Sequence, residues 1–168
     1  DADSIAAVME RYYPSFVVDR IYWDDFPAEA SSTGLRYPAV TKAIYDRLDK
    51  GALVVNYSGH GSANLLSHEL VWKASDMSAL NSPRLPFWVT ASCDIGPFDM
   101  GDNSVAEAAM LNPNGAAVGF LATTRTVLQS YNAVINKAFM RELLVSVDSD
   151  RPDAVGDAMR RAKCKVIS

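Results

Sequence analysis

At 168 residues, with 49% hydrophobic and 21% charged side chains, the chain can bury a core without disulfides or metals and suits one domain. A net charge of −4 and a pI near 5.1 exclude the basic surface that would hold nucleic acid or an anionic membrane. No apolar run approaches the roughly 18 residues of a membrane span and no signal-peptide pattern is present; the opening Asp1 reads as the start of an excised or processed piece.

Asp3-Ser4 followed by Ile5, Val8, Met9 and Tyr12 predicts a capped helix with an apolar stripe. Residues 16–23 read as a strand, and 24–36, with Pro27 and Gly34, as a long loop. Pro38 suits a first helical turn, and Val40, Ala43, Ile44, Arg47 and Leu48 keep the core-facing period until Gly51 stops it. The run Leu53-Val54-Val55-Asn56-Tyr57-Ser58 then predicts a strand leading to Gly59-His60-Gly61. Residues 64–84 read as a loop with one short helix near 76–80. A second strand, Phe87-Trp88-Val89-Thr90-Ala91, leads to Ser92-Cys93, and Trp88 fits core packing.

Residues 96–102 form a glycine-punctuated loop, and Ser104-Val105-Ala106-Glu107 is a capping box opening a helix that ends around 112–115. Residues 116–122 predict another buried strand, exiting at Thr123-Thr124-Arg125. A long helix over 130–146, with Val134, Ala138 and Leu143 inward, precedes a last helix from Pro152 to about Lys163. Strand, helix, strand, crossover, strand, helix, strand is βαβ order: an α/β fold with a mostly parallel sheet and helices on both faces. No repeat, low-complexity tract or interdomain linker interrupts it.

Two reactive side chains, His60 and Cys93, each end a buried-strand pattern. If the strands are parallel neighbours, both side chains leave one sheet edge, where open α/β sheets place their binding crevice. A cysteine is a strong nucleophile only as a thiolate, and a nearby imidazole lowers its pKa or carries the proton to a leaving group. Gly59 and Gly61 allow positive φ and a close substrate approach. Beside this reading stands a plainer one, in which His60 is a loop histidine and Cys93 an inert thiol. Two cysteines make no disulfide scaffold, and a free thiol explains Cys93 better than a bridge to Cys164.

Around the pair, Asp94, Asp99 and Asp102 could select a basic substrate residue, hold calcium, or form a solvated acidic loop. Thr124 and Arg125 would meet the cleft, Arg125 at a substrate carboxylate or carbonyl. Tyr131 and Asn132 follow the last strand and could approach a specificity pocket. His60, His68 and Glu69 are too few and too loosely spaced to define zinc, so no metal is assigned.

An apolar run ending in His-Gly, followed by one ending in Ser-Cys, resembles the caspase-like cysteine peptidases. Within that group Asn56-Tyr57-Ser58-Gly59-His60-Gly61-Ser62, the spacing to Cys93, and Gly119-Phe120-Leu121-Ala122-Thr123-Thr124-Arg125 resemble the gingipain family over nearly the whole chain. The resemblance implies a caspase-like three-layer sandwich of about six strands, truncated here at both ends. It implies that Cys93 attacks a peptide carbonyl, that His60 carries protons, and that the main-chain N–H groups of Gly61 and Cys93 hold the oxyanion. The acidic residue that orients the histidine in many relatives lies upstream or near the start, where Asp1 and Asp3 are candidates by position only. Leu65-Leu66 stands where relatives often carry a tryptophan, and Trp72 does not obviously replace it.

The likeness extends to surface signal peptidases of the type IX secretion system. It implies as substrates the C-terminal sorting domains of exported proteins, contact with other secretion-system proteins, and a place at the cell surface or outer membrane of a Gram-negative bacterium. No cofactor is implied, calcium in the parent protein apart. A general secreted endopeptidase and a catalytically inactive scaffold member of the family are the other readings. A serine hydrolase is weaker, because neither Ser58 nor Ser62 sits in a Gly-x-Ser-x-Gly elbow.

Overall fold

Proline and glycine set the bounds of the helix that leads into the central sheet. In a computed structural model, which describes residues 2–32, 34–147 and 153–167, α2 spans Pro38–Lys50 with proline at its first turn. Gly51 ends it at φ +93, its N–H donating to the carbonyls of Arg47 and Leu48. A residue with a Cβ is strained at that φ, so glycine is the natural stop.

The chain divides into two compact units, one drawing on residues 1–20 and 128–168 and the other on 21–127. The larger holds a three-stranded parallel sheet in the order β3-β7-β8, from Val54–Ser58, Phe87–Ala91 and Gly119–Leu121. Val54 pairs with Phe87 and Ser58 with Ala91, while Phe87 pairs with Gly119 and Val89 with Leu121. Trp88, Val89 and Thr90 are buried in succession. Successive side chains point to opposite faces, so β7 is covered on both.

Trp88 is 2% exposed, stacks on Phe120 at 5.9 Å, lies 6.2 Å from Trp72, and donates its indole N–H to Ala116 O at 3.2 Å. Leu48, Met77, Leu80, Ile95 and Val105 complete this core. The fold is therefore the expected mixed α/β class with a mostly parallel central sheet. The fourth helix opens where its capping box stands: α4 covers Val105–Met110, Ser104 Oγ accepts from Glu107 N, and Glu107 accepts from Ser104 N.

The smaller unit consists of α1 (Ala2–Tyr12), α5 (Gln129–Val147) and α6 (Val155–Ile167). Phe139, Met140, Leu143 and Leu144 on α5 and Ala158 and Ala162 on α6 are buried within this unit, Met140 and Leu144 sharing a cavity with Ile5 and Val8 of α1. Glu142 on α5 crosses it to bond Arg161 at 2.9 Å and Lys165 at 2.5 Å. The Lys165 contact holds the Glu142 carboxyl below its usual range, and Arg161 adds to this against the opposing effect of burial.

Several expectations need correction. Residues 16–23 form no strand: Val17 is 90% exposed, and the run finds no ladder to satisfy its backbone, ending in a 3₁₀ turn at Trp23–Asp25. The supposed loop over 24–36 contains an antiparallel hairpin, β1 (Glu29–Ser31) with β2 (Gly34–Arg36), whose exposed side chains give no apolar alternation to read. Residues 61–73 build a second small antiparallel sheet from β4 (Gly61–Ser62), β5 (Leu65–Leu66) and β6 (Trp72–Lys73).

The short helix that follows, α3, is Ala74–Ala79. The strand expected over 116–122 contracts to three residues. Val134 is largely exposed rather than inward, and Asp3 lies inside the first turn of α1 rather than at its cap. Pro152 lies outside the described residues.

Two stability predictions follow from these junctions. Ser104→Ala removes a cap from a fully buried position and lowers stability by about 1–2 kcal/mol in urea unfolding. Glu142→Gln costs about 1–3 kcal/mol at neutral pH. Because the folded carboxyl is the stronger acid, this difference persists above the ordinary carboxylate range and disappears as pH falls through the lower folded value.

Candidate functional site

The site grows from the register of β3 on β7. With Ser58 opposite Ala91, the two strands end side by side at their carboxyl ends, and Gly59 N extends the pairing by donating to Ala91 O at 3.3 Å. His60 and Cys93 each stand two residues past these paired ends. On the other side of β7, Thr123 Oγ1 donates to Ser92 O at 2.6 Å and Gly96 N to Thr123 O at 3.0 Å. The loop after β7 is thereby laced to the exit of β8.

Gly61 brings the two strand exits into contact. A Cβ there would fall 2.4 Å from both Ile95 Cδ1 and Ser92 Oγ and 3.3 Å from the Cys93 carbonyl oxygen. Only a glycine lets the two loops close to this distance. Gly59 is confined similarly, since a Cβ would lie 2.6 Å from the Tyr57 hydroxyl. Positive φ, expected at both, occurs at neither; the glycines with positive φ are Gly34, Gly51 and Gly115. Close approach rather than backbone handedness is what excludes a side chain here.

Gly61 faces Leu66, and Ser67 N donates to His60 O at 2.9 Å. This makes Gly61–Leu66 a non-hydrogen-bonded pair of the antiparallel ladder, so the Gly61 N–H points away from β5. The nearest atom of Cys93 to this glycine is its carbonyl oxygen, 3.3 Å from where a Cβ would stand.

Cys93 is a half-buried free thiol, and its Sγ–H donates to Val127 O at 3.5 Å rather than to His60. The next residue, Asp94, has φ +52, a conformation uncommon outside glycine but most accessible to Asp and Asn. Its carboxylate accepts from Thr126 Oγ1 at 2.8 Å. Arg125 is committed to Asp99 at 2.5 Å and to the Thr124 carbonyl at 2.6 Å. This hydrogen bond holds the Asp99 carboxyl below its usual range and raises Arg125, with Asp94 adding a smaller push on the arginine. Thr124 itself is exposed.

The His60 side chain is exposed and its ring stacks on that of His68, 4.9 Å between centroids and 13° between planes. Tyr57 OH donates to His60 O at 2.6 Å. Burial raises the Tyr57 phenol above its ordinary range, with the Glu69 charge adding to it. Among the described residues no carboxylate pairs with the His60 ring, and no group of three or more His, Cys, Asp or Glu stands together as a metal site.

Other sequence candidates belong to the smaller unit or fall outside the described residues. Tyr131, which is 68% exposed, and buried Asn132 belong to α5 in the smaller unit. Asp3 in that unit pairs with Arg20 at 3.5 Å, and Asp1 lies outside the described residues. The contacts of Val127 and Tyr57, and the stacking of His68, were not anticipated. Only the hairpin that returns the chain toward His60 could have signalled His68, and its Ala63-Asn64 turn lacks the usual glycine mark.

The sequence profile of Peptidase family C25 matches residues 1–168. Two solved structures share the fold. The complex of Porphyromonas gingivalis RgpB pro- and mature domains aligns with a TM-score of 0.71 at 21% identity, over 99% of this chain and 37% of that one. The Arg-specific cysteine proteinase gingipain R (RGPB) aligns with a TM-score of 0.62 at 21% identity, over 97% and 36%. No curated protein sequence gives a match. The chain belongs to Peptidase family C25, has a gingipain-like fold, and spans little more than a third of the length of these structures.

The Gly61 contact is testable by substitution. Gly61→Ala should lower stability by about 1–3 kcal/mol in urea unfolding as Ser92 and Ile95 are pushed aside. Gly101→Ala, where a Cβ meets nothing within 4 Å, should leave stability unchanged.

Proposed function

We propose that this chain carries the reaction centre of a cysteine endopeptidase. The observation that supports the reading best is the parallel register of β3 and β7, which ends the two strands together and sets Gly61 against the Cys93 backbone. In the proposed reaction the Cys93 thiol leaves its Val127 hydrogen bond, passes its proton to the His60 imidazole, and attacks the scissile carbonyl carbon. The Gly61 and Cys93 N–H groups stabilise the oxyanion. The C–N bond then breaks as His60 protonates the departing amine, leaving a thioester on Cys93. Attack by water, or by an amine in a transfer reaction, releases the acyl group and restores the thiol. Each proposed step draws on protein groups and the attacking water or amine alone.

For the substrate, the motif around His60 and the spacing to Cys93 are similar to PorU, the surface signal peptidase of the type IX secretion system. On that basis the enzyme removes C-terminal sorting domains from exported proteins at the cell surface or outer membrane, in contact with other secretion-system proteins. Asp94, Thr124 and Arg125 would line the approach for the polypeptide. A general secreted endopeptidase of the family is the second reading; the Arg125–Asp99 pair favours it, since an arginine so engaged is not reserved for a particular substrate carboxylate.

Both readings are separated from an inactive scaffold by one experiment on the full-length protein, using an exported protein with and without its sorting domain. Cleavage confined to the domain junction is expected, abolished in Cys93→Ala and reduced about 10²–10⁴-fold in His60→Ala. Cleavage of both substrates alike would select the general endopeptidase, and no cleavage by the unaltered protein would select the scaffold.

A further inference from the structure

The β4–β5 hairpin carries the chain back past His60, and Ser67 N closes on the His60 carbonyl at 2.9 Å. The next residue, His68, is thereby delivered to the neighbourhood of the His60 ring. A tight turn presents it: Leu70 N donates to Ser67 O at 3.3 Å, and both Ser67 (φ +64) and Leu70 (φ +55) are left-handed. That conformation costs free energy for residues with a Cβ. Buried Leu66 and Ser67 before the turn and Val71 and Trp72 after it anchor the strained segment at both ends. The result is two stacked imidazoles 4.9 Å apart with nearly parallel ring planes, at 13°.

We infer that His68 is a positioning residue for His60, holding the ring by its face. This rests on the reading of His60 as the proton carrier. A carboxylate that orients a histidine does so at the ring's edge and occupies one nitrogen. A stacked partner restrains the tilt of the ring while leaving both Nδ1 and Nε2 open at its edge, where protons move. The His60 backbone is fixed independently, by the Tyr57 hydroxyl and the Ser67 N–H on its carbonyl, so the stack is what restrains the side chain. Glu69, the residue after His68, acts with its charge on the Tyr57 phenol.

The test uses the full-length protein with His68→Ala and His68→Phe, reading kcat and KM for a cleaved peptide and the NMR shifts of the His60 ring protons. His68→Ala should abolish the ring-current shift on His60 and lower kcat about two- to ten-fold, the worth of one aromatic pair, with KM unchanged. His68→Phe should retain the shift and restore kcat. Unchanged kcat and shift in His68→Ala would overturn the inference, as would a kcat loss in His68→Phe despite a retained stack. Failure of the unaltered protein to cleave any peptide would instead remove the peptidase reading, and the positioning role with it, while the ring-current shift would still report whether the stack exists.

Discussion

The register of β3 on β7 is the constraint on which the site depends. A parallel ladder advances both strands in the same direction, so whatever follows Ser58 and Ala91 emerges at one edge. Side chains in a sheet alternate, and a slip by one residue would turn the buried Trp88 and Thr90 positions onto the opposite face. The indole stacked on Phe120 and hydrogen-bonded to Ala116 therefore specifies the placement of Cys93 from the other end of the strand. Packing in the core and geometry at the edge are one problem in this fold.

At that edge the structure replaces side-chain bulk with backbone contact. Gly61 lets the exit of β3 rest on the exit of β7, and the Thr123 hydroxyl ties the same loop to β8. The Cys93 and His60 side chains have one polar or ring contact each among the described residues by comparison: the thiol rests on a carbonyl, and the imidazole on another imidazole. Arg125 and Asp99 neutralise each other on the surface, which leaves Asp94 with Thr126 as its hydrogen-bond donor. A firm main-chain frame suits the proposed mechanism, in which the Cys93 thiol leaves one hydrogen bond before it reacts.

The parts of this arrangement that depend on local chemistry were legible in the residues. Pro38 and Gly51 bound α2, the Ser104–Glu107 box opens α4, and the apolar run over residues 87–91 announces a buried strand. His60 and Cys93 could be singled out because each ends such a run. What depends on pairing was not legible. The run over residues 16–23 has the composition of a strand but no paired strand among the described residues, whereas the exposed β1–β2 hairpin and the short β4–β5 hairpin have strand partners but little pattern. The His68 stack follows from the β4–β5 pairing and the Val127 hydrogen bond from the meeting of the β7 and β8 exits, so composition alone announces neither.

The most direct measurement of the central claim, that the two strand exits form one reactive centre, is the pH dependence of alkylation at each cysteine, followed by mass spectrometry. Cys164, exposed on α6, serves as the internal reference. The account predicts that Cys93 reacts much faster than Cys164 near neutral pH, despite being less accessible, and that His60→Ala removes the advantage. Two thiols that titrate and react alike, with or without His60, would contradict it.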